Sequence, residues 1–388
     1  MTERGPLFWA TPEHNLVANA LGYGTHTRYM KKHSAPYFDY REDAPIALAI
    51  CPADKYQPFP GKYNVLFTMW EFLDVPPSYI EGINKADALI VPCSFCKEIF
   101  SKHFPAKRIY VCHEGVDEKV FTFKERKFPD MAKGEKFRFL WLGAPNPRKG
   151  YPFLLEMVKV FEQVPTVEIY MKTTMPKLNW WKTIKNAWKK RKDIIRGDGT
   201  KRNSLIRMIR RIPKPYYNER VVVMGKHKNV FLDTRKLPTD ELVALYHSAH
   251  GFVMPHLGEG WGLTLCEAMA TGCPSISVAE TGCRDFFDEK VGYTLKTDIL
   301  KQDLREGYDL PEARAYVPNA KDLLDKMTQV MMNYPHSVKL GKKASDRIRE
   351  KFTWDIAGKR LRGVIDQIIK DRGIECKIST PELATTSS

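Results

Sequence analysis

Short uninterrupted apolar runs recur along this chain and alternate with longer stretches in which apolar residues follow helical spacing. In the first third of the chain the apolar runs are residues 46–50, 65–68, 88–91 and 109–111. Runs that are apolar at every position are typical of parallel strands that are covered on both faces. The sequence therefore predicts a doubly wound α/β domain at residues 1–125.

The same alternation resumes after residues 124–136, a polar and charged segment that is typical of a linker. The second set of predicted strands is residues 138–142, 167–171, 221–224, 230–232, 251–254 and 275–278. The predicted helices between them include residues 153–161, 239–248 and 267–271. Because the strand–helix pattern occurs twice, we expect a second doubly wound domain at residues 136–353.

The end of the chain has a different pattern. Residues 354–372 predict one long helix, because their apolar side chains fall on a single helical face. Residues 375–388 contain Ser, Thr and Pro and few apolar side chains, so we expect a disordered tail. The length of 388 residues suits two cores of ordinary size.

Composition limits the compartment and the cofactors. The eight cysteines are scattered, apart from the pair Cys93 and Cys96, so the sequence favours reduced interior thiols over redox or zinc roles. We find no run of transmembrane length and no signal peptide. No Asp-x-Asp motif follows a predicted strand. We therefore expect a cytoplasmic protein that binds no metal.

Most of the net charge of +16 lies in residues 172–220, which we call the basic segment. It contains sixteen Lys and Arg and three acidic residues. Its apolar residues follow helical spacing in two stretches, 178–188 and 205–212, with a turn predicted at 197–204. The basic segment therefore predicts a basic helical hairpin inserted in the second domain.

A Gly-rich loop carries the clearest candidate chemistry. Glu259 precedes Gly260 and Gly262 in this loop, and Glu267 follows in a helix-forming run. Glycine lets a backbone approach a ligand closely, and the free N–H groups of a helix N-terminus favour a phosphate. Carboxylates can bind sugar hydroxyls. The pattern therefore indicates a site for a nucleotide diphosphate sugar.

This loop resembles the Glu-x7-Glu signature of the retaining group-one glycosyltransferases of the GT-B fold. Five other motifs resemble that family: Thr-Met-Trp-Glu at 68–71, Val-Pro-Cys-Ser at 91–94, Gly-Val-Asp at 115–117, Phe-Leu-Trp-Leu-Gly at 139–143 and Arg-Lys-Gly at 148–150. The resemblance implies two Rossmann-like domains facing a cleft, with the donor on the second domain and the acceptor on the first. It also implies that helix 354–372 crosses back onto the first domain.

The resemblance implies roles for individual residues. Glu259 would contact sugar hydroxyls near the reacting carbon, and Glu267 would bind the ribose hydroxyls. Lys149 matches the family lysine that binds the diphosphate. Arg148 would stand in for a family arginine, which is replaced here by Ala144. The catalytic candidates are therefore Glu259, Lys149 and Arg148.

Other cleft residues follow from the same resemblance. The remaining donor-binding candidates are Gly143, Gly260, Gly262 and Leu263. The acceptor-side candidates are Gly22, Tyr23 and Gly24, in a flexible Gly-rich loop, and Glu71. The His-Asp pair of many relatives is absent, so no base is assigned to the acceptor. His113 and His256 follow strands and could contact a ligand, although packing is the favoured interpretation of both.

The basic segment leaves three interpretations of the acceptor open. Its cations could bind a nucleic-acid backbone while tryptophans stack on bases. A Trp- and Lys-rich helix could instead lie on an anionic membrane, or the pair of helices could simply be solvated. The residues predicted to form this surface are Trp180, Trp181, Lys185, Trp188, Lys189, Lys190, Arg191, Lys192, Arg207, Arg210 and Arg211.

The charge density and its place in the second domain favour DNA. We therefore predict retaining transfer of a sugar from a nucleotide diphosphate sugar to a modified base in viral DNA. A lipid-linked or polysaccharide acceptor at a membrane surface is one alternative. A non-catalytic GT-B module that binds DNA or carbohydrate, and a nucleotide-sugar epimerase, are two others.

Overall fold

The computed structural model describes residues 4–9, 23–144, 146–173, 221–303 and 309–374. The first sheet consists of Gly5–Trp9 (β1), Phe38–Tyr40 (β2), Ile46–Ile50 (β3), Tyr63–Phe67 (β4), Ala88–Val91 (β5) and Ile109–Val111 (β6). All six strands are parallel, in the order β2-β1-β3-β4-β5-β6. β3 and β5 are buried at every position, as their uninterrupted apolar runs predicted.

Strands β1 and β2 were not among the predicted strands. β2 has three residues, of which Phe38 is buried and Asp39 is exposed. It pairs only with β1, at the edge of the sheet. An edge strand this short contains no apolar run, so its sequence does not reveal it.

Three helices of the first domain lie in the described part. They are Tyr23–Ser34 (α1), Pro77–Asn84 (α2) and Ser94–His103 (α3). The Cys93 sulfur caps α3 by accepting a hydrogen bond from the backbone N–H of Cys96. Every cysteine in the described ranges is a buried free thiol, which agrees with the expectation of reduced interior residues.

The second sheet consists of Phe137–Leu142 (β7), Val167–Lys172 (β8), Val221–Met224 (β9), Val230–Asp233 (β10), Gly251–Met254 (β11), Ser275–Ser277 (β12) and Tyr293–Thr294 (β13). Its order is β13-β12-β11-β7-β8-β10-β9. All neighbours are parallel except β9, which pairs antiparallel with β10 at the edge. Apart from this edge strand, the chain contains the two parallel α/β sheets that its sequence predicted.

Helices cover this second sheet. They are Tyr151–Phe161 (α4), Thr239–Ser248 (α5), Leu263–Ala270 (α6), Ala320–Met332 (α7) and Tyr334–Lys351 (α8). On α4 the residues Leu154, Met157, Val158 and Phe161 are buried, which is the spacing of one helical face. None of the helices in the described ranges has the length and hydropathy to cross a bilayer.

An antiparallel hairpin that the sequence did not predict joins the second domain to the first. Its strands are Thr297–Asp303 (β14) and Glu312–Pro318 (β15). The Arg314 guanidinium binds the Asp74 carboxylate through two nitrogens, with Nη2 2.6 Å from Oδ1. The backbone N–H of Leu73 donates to the Arg314 carbonyl at 3.0 Å. The hairpin therefore holds the segment that follows Glu71.

The last described helix, Trp354–Arg372 (α9), has the predicted bounds. It packs on α1 of the first domain, where Gly358 faces the carbonyl of His33. The Arg362 guanidinium also donates to the carbonyl of Tyr37 at 2.8 Å. The chain thus returns from the second domain to the first, as the resemblance implied.

Alanine substitutions at two glycines of α9 should have opposite effects on stability. A Cβ at Gly358 would lie 2.3 Å from the His33 oxygen, whereas nothing lies within 4 Å of a Cβ at Gly363. We expect Gly358→Ala to lower the free energy of unfolding by about 1–3 kcal/mol through overpacking. Gly363→Ala should raise it by about 0.5–1 kcal/mol, because alanine is the better helix former. Denaturant titration of both variants measures this, and equal effects would contradict the packing of α9 on α1.

Most of the basic segment lies outside the described residues, including all eleven residues of its predicted surface. The structure corrects its beginning: Lys172 is the last residue of β8, and its buried Nζ donates to the carbonyl of Thr173. Thr173, directly after β8, is the last described residue before the gap, and the description resumes at Val221, which pairs with Asp233 at the end of β10. Both attachment points lie at the edge where the parallel strands end. The predicted tail, residues 375–388, also lies outside the described part.

Candidate active site

The loop between β11 and α6 forms one wall of the candidate site. Gly262 has a φ of 105°, in the left-handed region that residues with a Cβ rarely adopt. Leu263 then begins α6, which has no side-chain cap at its N-terminus. Uncapped N–H groups at a helix N-terminus attract anions. The loop therefore places Glu259 shortly before an electropositive helix end.

A short 3-10 turn, Pro147–Lys149, holds the two candidate cations against this loop. It ends at Gly150, whose φ is 77° and where a Cβ would lie 1.9 Å from the Pro255 oxygen. The backbone N–H of Leu257 donates to the Arg148 carbonyl at 2.8 Å. Glycine at position 150 thus lets the turn and the loop touch, which brings both cations to Glu259.

Four charged side chains meet between the domains, and we call Glu71, Arg148, Lys149 and Glu259 the cleft cluster. Lys149 Nζ lies 2.5 Å from Glu259 Oε1. Arg148 lies between the carboxylates, with Nη1 3.6 Å from Glu259 Oε1 and Nη2 3.5 Å from Glu71 Oε1. Two cations and two carboxylates make the cleft cluster formally neutral.

The Glu259 carboxylate stays ionised although its side chain is only 8% exposed. Burial raises its pKa, but the positive charges of Lys149 and Arg148 outweigh burial and lower the pKa to about 2. This is below the value of 4.5 for an exposed glutamate. Glu259 therefore stabilises the fold above pH 4.5, and that contribution is lost as the pH falls towards 2.

Glu267 is held separately, within α6. Its Oε2 accepts a hydrogen bond of 2.7 Å from the fully buried Tyr246 hydroxyl. Burial raises the pKa of Glu267 to about 7, although Tyr246 and the nearby His26 lower it. His26 Nδ1 lies 2.5 Å from Glu114 Oε2 in the first domain. Because its pKa is raised, Glu267 contributes stability below pH 4.5 that is lost as the pH rises through 7.

Glycines bring the loop against the first domain. A Cβ at Gly258 would lie 2.0 Å from the main-chain carbonyl oxygen of Glu71, and one at Gly260 would lie 2.6 Å from Met69 Sδ. The sequence predicted that Gly260 and Gly262 allow a ligand to approach. In the structure Gly260 is required for domain contact, and Gly262 for the left-handed turn before α6.

The prediction that residues 22–24 form a flexible loop is wrong for its two described residues. Tyr23 and Gly24 lie in the first turn of α1 rather than in a flexible loop, because the helical run of residues 23–34 begins there. Gly22 lies outside the described residues. Gly143 follows β7, where a Cβ would lie 3.0 Å from Trp141 Cζ2 and in ordinary contact, at 3.4 Å, with Lys149 Cβ, so its small size leaves room for the Trp141 ring.

The two candidate histidines pack against protein. His256 is completely buried, and burial lowers its pKa to about 4, so it is neutral at pH 7. His113 Nε2 lies 2.8 Å from Asp285 Oδ2, and its ring stands 5.6 Å from the ring of Trp261. Both positions favour the packing interpretation. Within the described ranges no group of three or more His, Cys, Asp or Glu could hold a metal ion.

The sequence missed three residues around Glu267. Tyr246 lies in the last turn of a predicted helix and has the pattern of a core aromatic, so nothing marks its hydroxyl as a partner of a carboxylate. His26 and Glu114 are 88 positions apart, and only the folded first domain brings them together. His26 and Glu114 do have a signal in the sequence. His26 lies two positions after the Gly-rich segment at 22–24, and Glu114 directly precedes the Gly-Val-Asp motif at 115–117.

Comparisons of the sequence with known proteins match the second domain. Residues 136–306 match the family model described as glycosyl transferases group 1. The sucrose synthase of Denitrovibrio acetiphilus is 29% identical over 111 residues, which cover 28% of this chain and 12% of that protein. The matched region therefore spans about an eighth of that curated relative.

Solved structures extend the likeness to both domains. Sucrose-phosphate synthase from Thermosynechococcus elongatus aligns with a TM-score of 0.57 and 15% identity, over 91% of this chain and 79% of that one. Anabaena HepE, solved in complex with UDP and glucose, aligns with a TM-score of 0.58 and 11% identity, over 94% of this chain and 100% of that one. At these identities the structures show the shared GT-B fold. Over residues 136–306 the chain is therefore similar to the group 1 glycosyltransferases, and over nearly its whole length it shares the GT-B fold.

Proposed function

We propose that this protein transfers a sugar from a nucleotide diphosphate sugar to an acceptor hydroxyl with retention of configuration. The observation that supports this most directly is the buried contact of Lys149 with Glu259, at 2.5 Å, beside the uncapped N-terminus of α6. Two cations and a helix N-terminus suit a diphosphate, and a carboxylate next to them suits a sugar.

In this proposal each group of the site has one task. The pyrophosphate is bound by Arg148, Lys149 and the N–H groups at the start of α6. Glu259 accepts hydrogen bonds from sugar hydroxyls, and Glu267 accepts them from the ribose. Negative charge grows on the pyrophosphate as the sugar leaves, so fixed positive groups there stabilise the transition state.

The transfer needs no side-chain base. The bond between the anomeric carbon and the phosphate oxygen breaks, and the acceptor oxygen bonds to the same face of the sugar. The acceptor proton moves to the leaving phosphate oxygen. This fits a cleft in which His256 is buried and His113 is bound to Asp285.

UDP is the nucleotide to test first, because HepE, which shares the fold, was solved with UDP and glucose. Changing Tyr246 to phenylalanine should weaken UDP binding near pH 7. The lost hydroxyl stabilises the ionised form of Glu267, so its pKa should rise by about half to one pH unit. Calorimetric titration with UDP from pH 5.5 to 9 should show the midpoint of the affinity profile moving upward by that amount. An unchanged midpoint would remove Glu267 from the ribose site.

We propose that the acceptor is a modified base in DNA, because the basic segment carries a large positive charge. Its attachment points at Thr173 and Val221 lie at the edge where the parallel strands of the second sheet end. Ligands of open α/β sheets bind at that edge. A polyanion bound by the basic segment would therefore lie on the same side of the sheet as the donor.

A lipid-linked or polysaccharide acceptor is the alternative, because the same segment is rich in tryptophan as well as lysine. Mass spectrometry of modified DNA, plain DNA and lipid extract, each incubated with a mixture of nucleotide sugars, separates the two. A mass increase of one sugar on modified DNA supports the proposal. An increase on lipid alone supports the alternative, and no release of nucleoside diphosphate with any acceptor supports a non-catalytic module.

Salt dependence gives a second readout of DNA binding. If the basic segment neutralises several phosphates, duplex affinity should fall by about 10³–10⁵-fold between 50 and 200 mM salt. Fluorescence anisotropy with a labelled duplex measures this. A flat response would argue against a DNA acceptor, and cosedimentation with anionic liposomes would then test the membrane alternative.

A further inference from the structure

Arg148 is shared by carboxylates of both domains. Its Nη2 lies 3.5 Å from Glu71 Oε1 in the first domain, and its Nη1 lies 3.6 Å from Glu259 Oε1 in the second. Nη1 also donates to the Gly258 carbonyl at 2.8 Å. The guanidinium that would bind the donor is therefore held by groups that a donor must displace or share.

The position of Glu71 is fixed from several sides. Gly258 packs directly on its carbonyl, as the 2.0 Å approach of a Cβ shows. Three residues later Asp74 is bound by Arg314, and the Trp70 indole N–H donates to the Asp74 carbonyl at 2.8 Å. With the backbone held this way, the Glu71 carboxylate stays opposite Arg148 in the cleft.

The charges of the cleft cluster decide what donor binding does. The cluster is neutral as it stands, so a pyrophosphate adds two or more negative charges to a partly buried site. Like charges at close range repel strongly when they are poorly solvated. Glu259 can turn to sugar hydroxyls of the donor itself. Glu71 lies in the first domain, which the family resemblance assigns to the acceptor.

We propose that Glu71 and the donor pyrophosphate compete for Arg148, so that donor binding frees the Glu71 carboxylate to accept a hydrogen bond from an acceptor hydroxyl next to the one that reacts. The inference rests on the proposed function, because it takes Arg148 as a pyrophosphate ligand. Its consequence is an order of binding. Without donor, Glu71 is occupied by Arg148, and the acceptor site is incomplete.

If this competition exists, substituting an active-site residue should strengthen ligand binding rather than weaken it. Changing Glu71 to glutamine should tighten the binding of inorganic pyrophosphate and of UDP, by about 3–10-fold, because a competing carboxylate is removed. Calorimetric titration of the purified protein measures both ligands. Glu71→Ala should tighten binding in the same way, and thermal melting of both variants shows whether they are folded.

Two comparisons isolate the contact with Arg148. In an Arg148→Ala background, Glu71→Gln should leave pyrophosphate affinity unchanged, as a double-mutant cycle requires for a direct interaction. Asp74→Asn removes the same charge from the same loop, but its partner is Arg314, so it should change the affinity less than twofold.

The outcomes separate the inference from the proposed function. Tightening by Glu71→Gln that disappears with Arg148→Ala supports competition. Unchanged or weaker binding in folded Glu71 variants overturns it, as does equal tightening by Asp74→Asn, while UDP binding to the wild-type protein leaves the proposed function standing. A wild-type protein that binds neither pyrophosphate nor UDP overturns both.

Discussion

Replacing Lys149 with alanine should lower kcat by about 10²–10³-fold, because a fixed cation is lost where negative charge develops in the transition state. Lys149 Nζ is 2.5 Å from Glu259 and lies in the turn that Gly150 holds against the loop, so it is positioned before the donor arrives. The effect should fall mainly on kcat, since Arg148 and the start of α6 still bind the ground-state donor. Release of nucleoside diphosphate measures it.

Stability should change in the same variant. Without Lys149 the Glu259 carboxylate, 8% exposed, keeps only the longer contact with Arg148, and its pKa should rise. Leaving a buried polar group poorly paired costs about 1–3 kcal/mol. Denaturant titration at pH 7 would show this loss, and it should shrink at acid pH, where the carboxyl is protonated.

A paired variant separates catalysis from folding. Lys149→Met combined with Glu259→Gln removes both charges together, so it should restore much of the lost stability and none of the activity. Lys149→Arg keeps the charge and should retain more activity than alanine. If Lys149→Ala kept more than a tenth of the wild-type kcat, the lysine would not be the group that stabilises the leaving pyrophosphate.

Changing Gly258 to alanine should lower kcat/KM by about 10²-fold, because displacing a cleft wall by about 1 Å has effects of that size. The new Cβ would lie 2.0 Å from the main-chain oxygen of Glu71, which no side-chain rotation can relieve. Either the loop that carries Glu259 or the segment that carries Glu71 must move. Initial rates over a range of donor concentrations measure the loss.

Gly260 provides the graded comparison. A Cβ there would meet only the Met69 side chain, with Sδ at 2.6 Å, Cγ at 2.7 Å and Cβ at 2.8 Å, and of these Sδ and Cγ can move away by rotation. Gly260→Ala should therefore cost less activity than Gly258→Ala, and Met69→Ala should restore part of it. Gly363→Ala, in open space on α9, should leave activity unchanged. Equal losses of activity in Gly258→Ala and Gly260→Ala would show that something other than the steric clash causes the loss.

The sequence located several elements with accuracy. β5, β11 and α9 have the predicted bounds, since uninterrupted apolar runs and single helical faces follow directly from burial. The edge strand β9 also has the predicted bounds, because its apolar run is uninterrupted although none of its residues is buried. The hairpin of β14 and β15 was missed. Its buried residues alternate with exposed ones along β15, and two of them are the alanines Ala313 and Ala315, which give a weak signal. Its function as a contact between domains depends on Asp74, far away in the sequence.

The sequence by itself determined the two α/β domains, the long helix at residues 354–372, and the motifs around Lys149 and Glu259. Those features depend on local pattern, which residue type and spacing record. Only the tertiary structure decided that Arg148 lies between Glu71 and Glu259, and that Tyr246 binds Glu267. Contacts of this kind join residues far apart in the chain, so the charge balance of the cleft and the pKa of each carboxylate arise only when the domains pack together.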